Sequence, residues 1–309
     1  DIIKLQHKNR KWAASQMIKW IKKYTSKNTF DCLTHKNIQN ASFSTIRKVL
    51  RETLSQTKPK KIPKRNRKNI RIASINLNQL GNNTGKLKDA IALTEADILC
   101  IQETVTKKSK STRLPTLDGF RWITHNTKNG GTAILIDEST IAENRIRPLS
   151  HPSRFSSGIE IKVKQKSVRI INVYLPVYKG KTNIKKHRKS LMDLNKVISQ
   201  NCIVIGDWNG WLPEFNNGKS NSHGINIEEV LAENSLKIEP IDKWERTRFG
   251  PRGNGTTVDY IATKNINLAK IQISSDIQGT DHRGLATDIL HTKKDRPKVK
   301  KKLVRKIHL

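Results

Sequence analysis

Cysteine is scarce in this chain: Cys32, Cys100 and Cys202 are the only three among 309 residues. Their spacing matches no zinc motif, and three residues cannot form a disulfide framework. Cys100 and Cys202 stand inside apolar runs, so buried, reduced thiols and a reducing compartment are expected. Long hydrophobic runs are missing too. Nothing approaches the ~20 apolar residues that a membrane span needs, so no membrane partner is expected. No signal peptide is visible, and the chain opens at Asp1 without Met, as a fragment or a processed product would. Acid is the third shortage. Only 26 Asp and Glu face 60 Lys and Arg, for a formal net charge of +34. A charge this large repels itself in a compact state and points to a polyanionic partner.

The charge is uneven. Residues 1–69 hold 19 basic and 3 acidic residues, and residues 293–309 hold 9 and 1. The 223 residues between them hold 32 and 22. Two basic extensions therefore flank a more ordinary middle, and the expected division is 1–69, 70–292 and 293–309. In the first part Ala14, Met17, Ile18, Ile21 and Tyr24 share one helical face, as do Phe43, Ile46, Val49, Leu50 and Leu54. These faces suit either a helical appendage or nucleic-acid contact through the lysines opposite. The run KPKKIPKRNRK, Lys58 to Lys68, reads as a solvated tether, a phosphate-binding segment or a nuclear address.

From Ile70 the pattern changes. IRIASINLN, DILCIQE, FRWIT, GGTAILI and CIVIGDWN read as strands, and GIEIKVKQKSVRIINVYLP reads as a hairpin turning at Gln165–Lys166. TTVDYIAT, KIQIS and LATDIL add three more strands, while GKLKDAIALTEA, residues 183–200 and NIEEVLAENSL read as helices. Hairpins mixed with strand–helix–strand units argue against an all-parallel sheet. The expected architecture is α+β: two mixed sheets packed face to face with helices outside, plus a basic helical N-terminal extension.

Polar residues end many of the apolar runs. They are Asn76, Glu103, Tyr174, Asp207 with Asn209, and Asp281 with His282, while Asp259 interrupts a strand. Singly, each is an ordinary turn residue. Gathered at one sheet edge they would place several carboxylates together, which is costly without a compensating cation. Hard oxygen donors without thiolates suit Mg²⁺ or Mn²⁺. A strand's period of two would bring Asp207 and Asn209 into one pocket and turn Trp208 away to packing.

Seven segments occur in order: SINLNQ, CIQET, GGTAILI, NVYLP, GDWNGW, TTVDYI and TDHRGL, covering about residues 70–290. In this order they resemble the endonuclease/exonuclease/phosphatase superfamily, which includes the apurinic/apyrimidinic endonucleases and DNase I. GDWNGWLPEFNN…SHG and ERTRFGPRGNGTTVDYI are similar to the endonuclease domain of non-LTR retrotransposons. The resemblance implies a DNase I-like four-layer α/β/β/α sandwich and a Mg²⁺-dependent DNA endonuclease that nicks one strand, leaving a 3′-hydroxyl and a 5′-phosphate. It implies Asp207, Asn209, His282, Asp259 and Tyr174 as catalytic residues, and Glu103, Asn76 and Asp281 at the metal. Arg248, Arg252, Lys128 and Trp211 are the candidate DNA contacts, and the basic extensions are further candidates for RNA. Val177 stands where nuclease relatives often carry Asn, and Thr280 where Ser is more usual. A monomer acting in the nucleus is expected. A phosphoinositide or other phosphoester hydrolase on the same fold, and a catalytically silent nucleic-acid-binding protein, are the alternatives.

Overall fold

The computed structural model describes residues 69–290, except 106–113, 125–130, 151–152, 154, 164, 176–180, 243–244 and 251–254 and the side chains of 181–186. The helices expected before residue 69, the tail 293–309, Cys32, Lys128, Val177 and Arg252 lie outside the described residues.

Two six-stranded mixed sheets form the centre. In the first, β1 (Ile70–Asn76) lies parallel to β2 (Ile98–Gln102), and α1 (Thr84–Thr94) makes the crossover between them. β4 (Thr132–Asp137), β3 (Phe120–Thr124), β14 (Leu285–Ile289) and β13 (Gln272–Ile273) complete the order β13-β14-β1-β2-β4-β3, paired antiparallel. In the second, β7 (Lys166–Tyr174) lies parallel to β8 (Cys202–Asp207) across α2 (Lys181–Asn195). Its order is β5-β6-β7-β8-β12-β9, with β5 at Ile146–Pro148, β6 at Ser156–Val163, β9 at Lys237–Ile238 and β12 at Asp259–Lys264. A parallel pair needs a long crossover, and each sheet has one such pair with a helix filling it. A short hairpin of β10 (Arg248–Phe249) and β11 (Gly255–Thr256) stands apart from both sheets.

Alternation along the strands sorts the side chains into layers. Ile72, Ile98, Cys100, Ile134, Ile136, Ile159, Ile161, Ile170, Ile203, Ile205, Ile261 and Leu285 pack together as the core. Residues of opposite phase on the first sheet, Ala73, Ile75, Leu99, Ile101 and Leu135, pack with Leu87, Ala90 and Ile91 of α1. On the second sheet Ile171, Val173, Cys202, Val204, Tyr260 and Ala262 pack with Leu191 and Leu194 of α2 and with Ile227 and Val230 of α3 (Ser222–Glu233). This is the expected α/β/β/α sandwich. Each fully buried Ile, Leu or Val contributes about 1.5–3 kcal/mol, which explains why two β-rich inner faces hold such a stack together. Cys100 and Cys202 are free and buried, and burial pushes the Cys100 thiol up.

Several elements differ from the sequence expectation, among them the helix read over residues 183–200, which ends at Asn195. TTVDYIAT is broken: Thr256 ends β11, and β12 begins at Asp259. KIQIS shrinks to two paired residues at Gln272–Ile273. α3 starts at Ser222, earlier than its apolar periodicity suggests, because the Asn221 side chain accepts from Gly224 N at 2.8 Å and caps it.

Candidate active site

The carboxyl ends of both parallel pairs point to one edge of the sandwich, and they carry Asn76, Glu103, Tyr174 and Asp207. β12 runs antiparallel to β8, so its first residue comes to the same edge, and Asp259 pairs directly with Asp207. Like charges opposite each other destabilise a sheet, and these two are 1% and 2% exposed. The third member of the cluster is His282, just before β14. Its Nδ1 lies 3.0 Å from Asp259 Oδ2, and its Nε2 lies 3.9 Å from Asp207 Oδ2.

Hydrogen bonds join the two sheets at this edge. The Asn76 amide donates to Glu103 Oε1 and to Asp207 Oδ2, both at 3.0 Å. The Tyr174 hydroxyl also donates to Glu103 Oε1, at 3.0 Å. Glu103 and His282 therefore belong to one connected cleft, through Asn76 and Asp207. Asp281 sits beside His282, with one oxygen 3.9 Å from Nε2 and the other accepting from Arg248 Nε at 2.9 Å.

Charge sets the protonation of the cluster. Burial, reinforced by the Asp259 carboxylate, pushes Asp207 up to about 7. Burial alone would push His282 down, but Asp259, with Asp207 and Asp281, overrides it and raises the imidazole to about 9. Burial would also raise Asp281, yet the Arg248 hydrogen bond and charge hold it below the usual carboxylate range. Burial, then the Glu103 and Asp207 charges, push the Tyr174 phenol well above its ordinary value. At neutral pH the cleft thus combines a protonated imidazole, a phenol that keeps its proton, and a carboxyl group able to take up or release a proton.

The Asp207 turn is built from strained backbone. Gly206 has φ +148, and a Cβ there would lie 2.1 Å from Val173 O, so the chain needs glycine to bring β8 against β7. Trp208 is fully buried among the outer-layer side chains and donates to Tyr260 O. Strand alternation does not carry Asn209 to its place. The strand ends at Asp207, and Asn209 adopts φ +48. Its backbone N–H donates to Asp207 Oδ1 at 3.0 Å, and its side-chain amide donates to Leu175 O at 2.8 Å. Trp211 is partly exposed and donates its backbone N–H to Asn221 Oδ1 at the start of α3.

Several supporting residues were not singled out from sequence. Gln102 and Asn172 are fully buried on the inner faces, one layer below the cleft. Gln102 Nε2 donates to Asn172 Oδ1 at 2.6 Å and to Ser74 Oγ at 3.0 Å. Asn172 Nδ2 donates to Ile101 O and Ala133 O, tying the second sheet to the first. Thr247 Oγ1 accepts from Val258 N and Asp259 N, which fixes the start of β12. His223 Nδ1 meets Asn209 O at 3.1 Å and stacks on His187 with centroids 4.0 Å apart. The available signal was a polar residue in an apolar strand at inner-face phase, which Gln102 and Asn172 display. Thr247 and the histidines give no such signal.

The donor set suits a hard divalent cation. Both hydrogen bonds to Glu103 fall on Oε1, which leaves Oε2 free of described protein partners. The cleft donors are carboxylates, amides, a phenol and an imidazole, with no thiolate. Asp207, Asp259 and His282 also offer ligand atoms within 4.8 Å of one another. Asn76 Oδ1 already accepts from Asn78 N at 2.9 Å, so Asn76 faces the carboxylates with its donor end.

Two stacked mixed sheets with helices outside and an acid–imidazole cluster at one edge define the DNase I-like fold. The profile of the Endonuclease/Exonuclease/phosphatase family matches residues 73–282, and the chain belongs to that family. The structure is similar to the endonuclease domain of TRAS1, described as a telomere-specific non-LTR retrotransposon. The two share 17% identity over 73% of this chain and 100% of that one, with a TM-score of 0.57. It is also similar to the AP endonuclease LMAP from Leishmania major, with 16% identity over 72% of this chain and 88% of that one and a TM-score of 0.54. In sequence it resembles a probable RNA-directed DNA polymerase from transposon X-element of Drosophila melanogaster, 23% identical over 222 residues. That match covers 70% of this chain and 23% of the relative's length. Among the described residues, no helix is long and apolar enough to cross a membrane.

Proposed function

We propose that this chain is a divalent-metal-dependent DNA endonuclease of retrotransposon origin that nicks one strand and leaves a 3′-hydroxyl and a 5′-phosphate. The observation that carries this reading is the Asp207–Asp259 pair, directly opposed across two strands, with His282 against both and Glu103 tied to Asp207 through Asn76. An acidic pair buried this deeply costs stability, and a protein keeps such a local cost at a functional site.

Asp207 is the base that takes a proton from the attacking water. Its elevation to about 7 suits proton transfer near neutral pH. The Asn209 N–H aims the carboxylate, and Asn209 positions the water or the phosphate. His282, protonated at neutral pH, donates to a non-bridging oxygen where negative charge builds. Asp259 holds the imidazole's orientation and charge through Nδ1. Tyr174 retains its proton and donates to the phosphate or the leaving group. The bond from water oxygen to phosphorus forms, the bond from phosphorus to the 3′ oxygen breaks, and the phosphate stays on the 5′ side. The 3′ oxygen takes a proton from solvent to become the hydroxyl, and Asp207 returns its proton to solvent. Glu103 and Asp281 would hold Mg²⁺ or Mn²⁺, with Asn76 orienting Glu103. When bound, the ion stabilises charge on the leaving oxygen. Arg248, which pairs with Asp281, contacts DNA beside the site. Trp211, Lys128 and Arg252 are further DNA contacts, and the basic extensions add non-specific affinity for DNA or RNA. The enzyme acts as a monomer on nuclear DNA.

Supercoiled plasmid incubated with Mg²⁺, Mn²⁺ or EDTA tests the reading, with end-group labelling of the products. Metal-dependent conversion to open circles with 3′-hydroxyl ends is expected, and it should be lost in Asp207→Ala and His282→Ala. Nicking that survives EDTA or persists in both variants rejects the proposal. Phosphate release from inositol lipids without DNA cleavage would instead select the phosphoinositide hydrolase.

A further inference from the structure

Lys86 stands where a helix least favours it. It is in the first turn of α1, which contains no acidic residue, and a cation there opposes the helix dipole. A residue that breaks a local rule at a site's margin is acting in the tertiary structure. The side chain leaves the helix and places Nζ among three backbone carbonyls: Leu77 O at 2.8 Å, Asn78 O at 3.1 Å and Gly279 O at 2.9 Å. An ammonium has three protons, and all three are used. Burial lowers the Lys86 amine, and the nearby Glu103 charge partly opposes this.

The three carbonyls belong to two turns, and both carry site residues. Leu77 and Asn78 follow Asn76 directly, and Asn78 and Gln79 both have positive φ, +41 and +59. That sparsely populated backbone persists only when something holds it. Gly279, at φ +89, opens the turn that delivers Asp281 and His282, and a Cβ there would lie 3.1 Å from Lys86 Cε. The next residue completes the tie: Thr280 Oγ1 donates to Asn76 O at 2.7 Å and accepts from His282 N at 3.1 Å.

The geometry points to Lys86 as a positioning residue: its ammonium, clasped by the carbonyls of Leu77, Asn78 and Gly279, locks the Asn76 turn to the Asp281–His282 turn. This deepens the nuclease reading and rests on it for its kinetic test. With no proton free, Lys86 does not bind the substrate phosphate. Its effect falls on kcat, through the placement of His282 and Asn76, and leaves DNA affinity unchanged. Displacing catalytic groups by about 1 Å can cost on the order of 10²-fold in rate.

The test uses Lys86→Ala in the full chain. Nicking at saturating plasmid should fall about 10²-fold, while DNA affinity in EDTA stays at the wild-type value. Propylammonium, which replaces the deleted atoms, should restore turnover saturably, and tetramethylammonium, which has no N–H, should not. Amide hydrogen exchange without DNA or metal should quicken at residues 77–81 and 278–283. That measurement judges the tie even if the wild type proves not to nick DNA. If Lys86→Ala does not fold, Lys86→Arg is examined by the same assays. It keeps the charge, but its planar guanidinium does not fit the three-carbonyl clasp, so the same loss of kcat is expected. Wild-type kcat with unchanged exchange in the folded variant overturns the inference. Weakened DNA binding with kcat intact overturns it as well, because it makes Lys86 a substrate contact.

Discussion

Asp259→Asn keeps the shape of the buried cluster and removes the charge that raises His282. In the native protein that imidazole is held at about 9, against 6.5 in water, although burial acts in the opposite direction. The difference is worth about 3 kcal/mol in favour of the protonated form. Because the folded value is raised, this stability is fully present below pH 6.5 and is lost as pH rises through about 9. Urea melts should therefore show the wild type weakening by on the order of 3 kcal/mol across that window, and the variant should be nearly flat there. A histidine NMR titration reads the cause directly, with His282 moving toward or below 6.5 in the variant. On the nuclease reading, kcat falls by roughly 10²–10⁴-fold because the imidazole loses both charge and orientation. A wild-type His282 that titrates at or below 6.5, or a variant imidazole that still titrates near 9, refutes the reasoning.

Asp207→Asn removes one of two opposed carboxylates, so it should raise the melting temperature at pH 8 while abolishing nicking. The native Asp207, raised to about 7, withdraws stability as pH climbs from 3.8 through that value, and the variant's melting profile should lack this slope. Asn172→Leu removes the amide that donates to Ile101 O and Ala133 O and leaves Gln102 without its 2.6 Å acceptor. A loss of about 2–5 kcal/mol is expected in denaturant melts. The double change with Gln102→Leu should lose less than the sum of the two single changes, because it removes both partners of one buried bond. Gly206→Ala puts a methyl group 2.1 Å from Val173 O on a backbone that favours glycine, and soluble expression should collapse. Arg248→Gln frees Asp281 from its ion pair. On the proposed reading the arginine also contacts DNA, so the salt dependence of binding should flatten by roughly one phosphate contact.

Much of the architecture was legible in the residues. IRIASIN and CIVIGD read as strands and are strands, but CIVIG is apolar throughout, so only the structure shows Ile72 and Ile203 between the sheets and Ala73 and Val204 against the helices. Strand existence follows from periodicity, which is local. Strand limits do not: TTVDYIAT looks like one strand, but Thr256 is drawn into a separate hairpin with Arg248. The helix beginning at Ser222 was hidden because a side-chain cap, not an apolar repeat, starts it.

The apolar runs by themselves determined which polar residues lie at or beside the strands: Asn76, Glu103, Tyr174, Asp207, Asp259 and His282. Apolar periodicity suffices for that, since it is a property of neighbouring residues, while the expectation that these groups meet came from the resemblance of the ordered motifs. Only the tertiary structure decided how they meet. It set Asp207 opposite Asp259, turned Asn209 by a left-handed residue rather than by the pleat, gave Asp281 to Arg248, and closed three carbonyls around Lys86. Each of those depends on register between strands, or on a hydrogen bond between segments far apart in sequence. The free energy that selects them comes from burial and charge in the assembled sandwich, which no stretch of the chain carries alone.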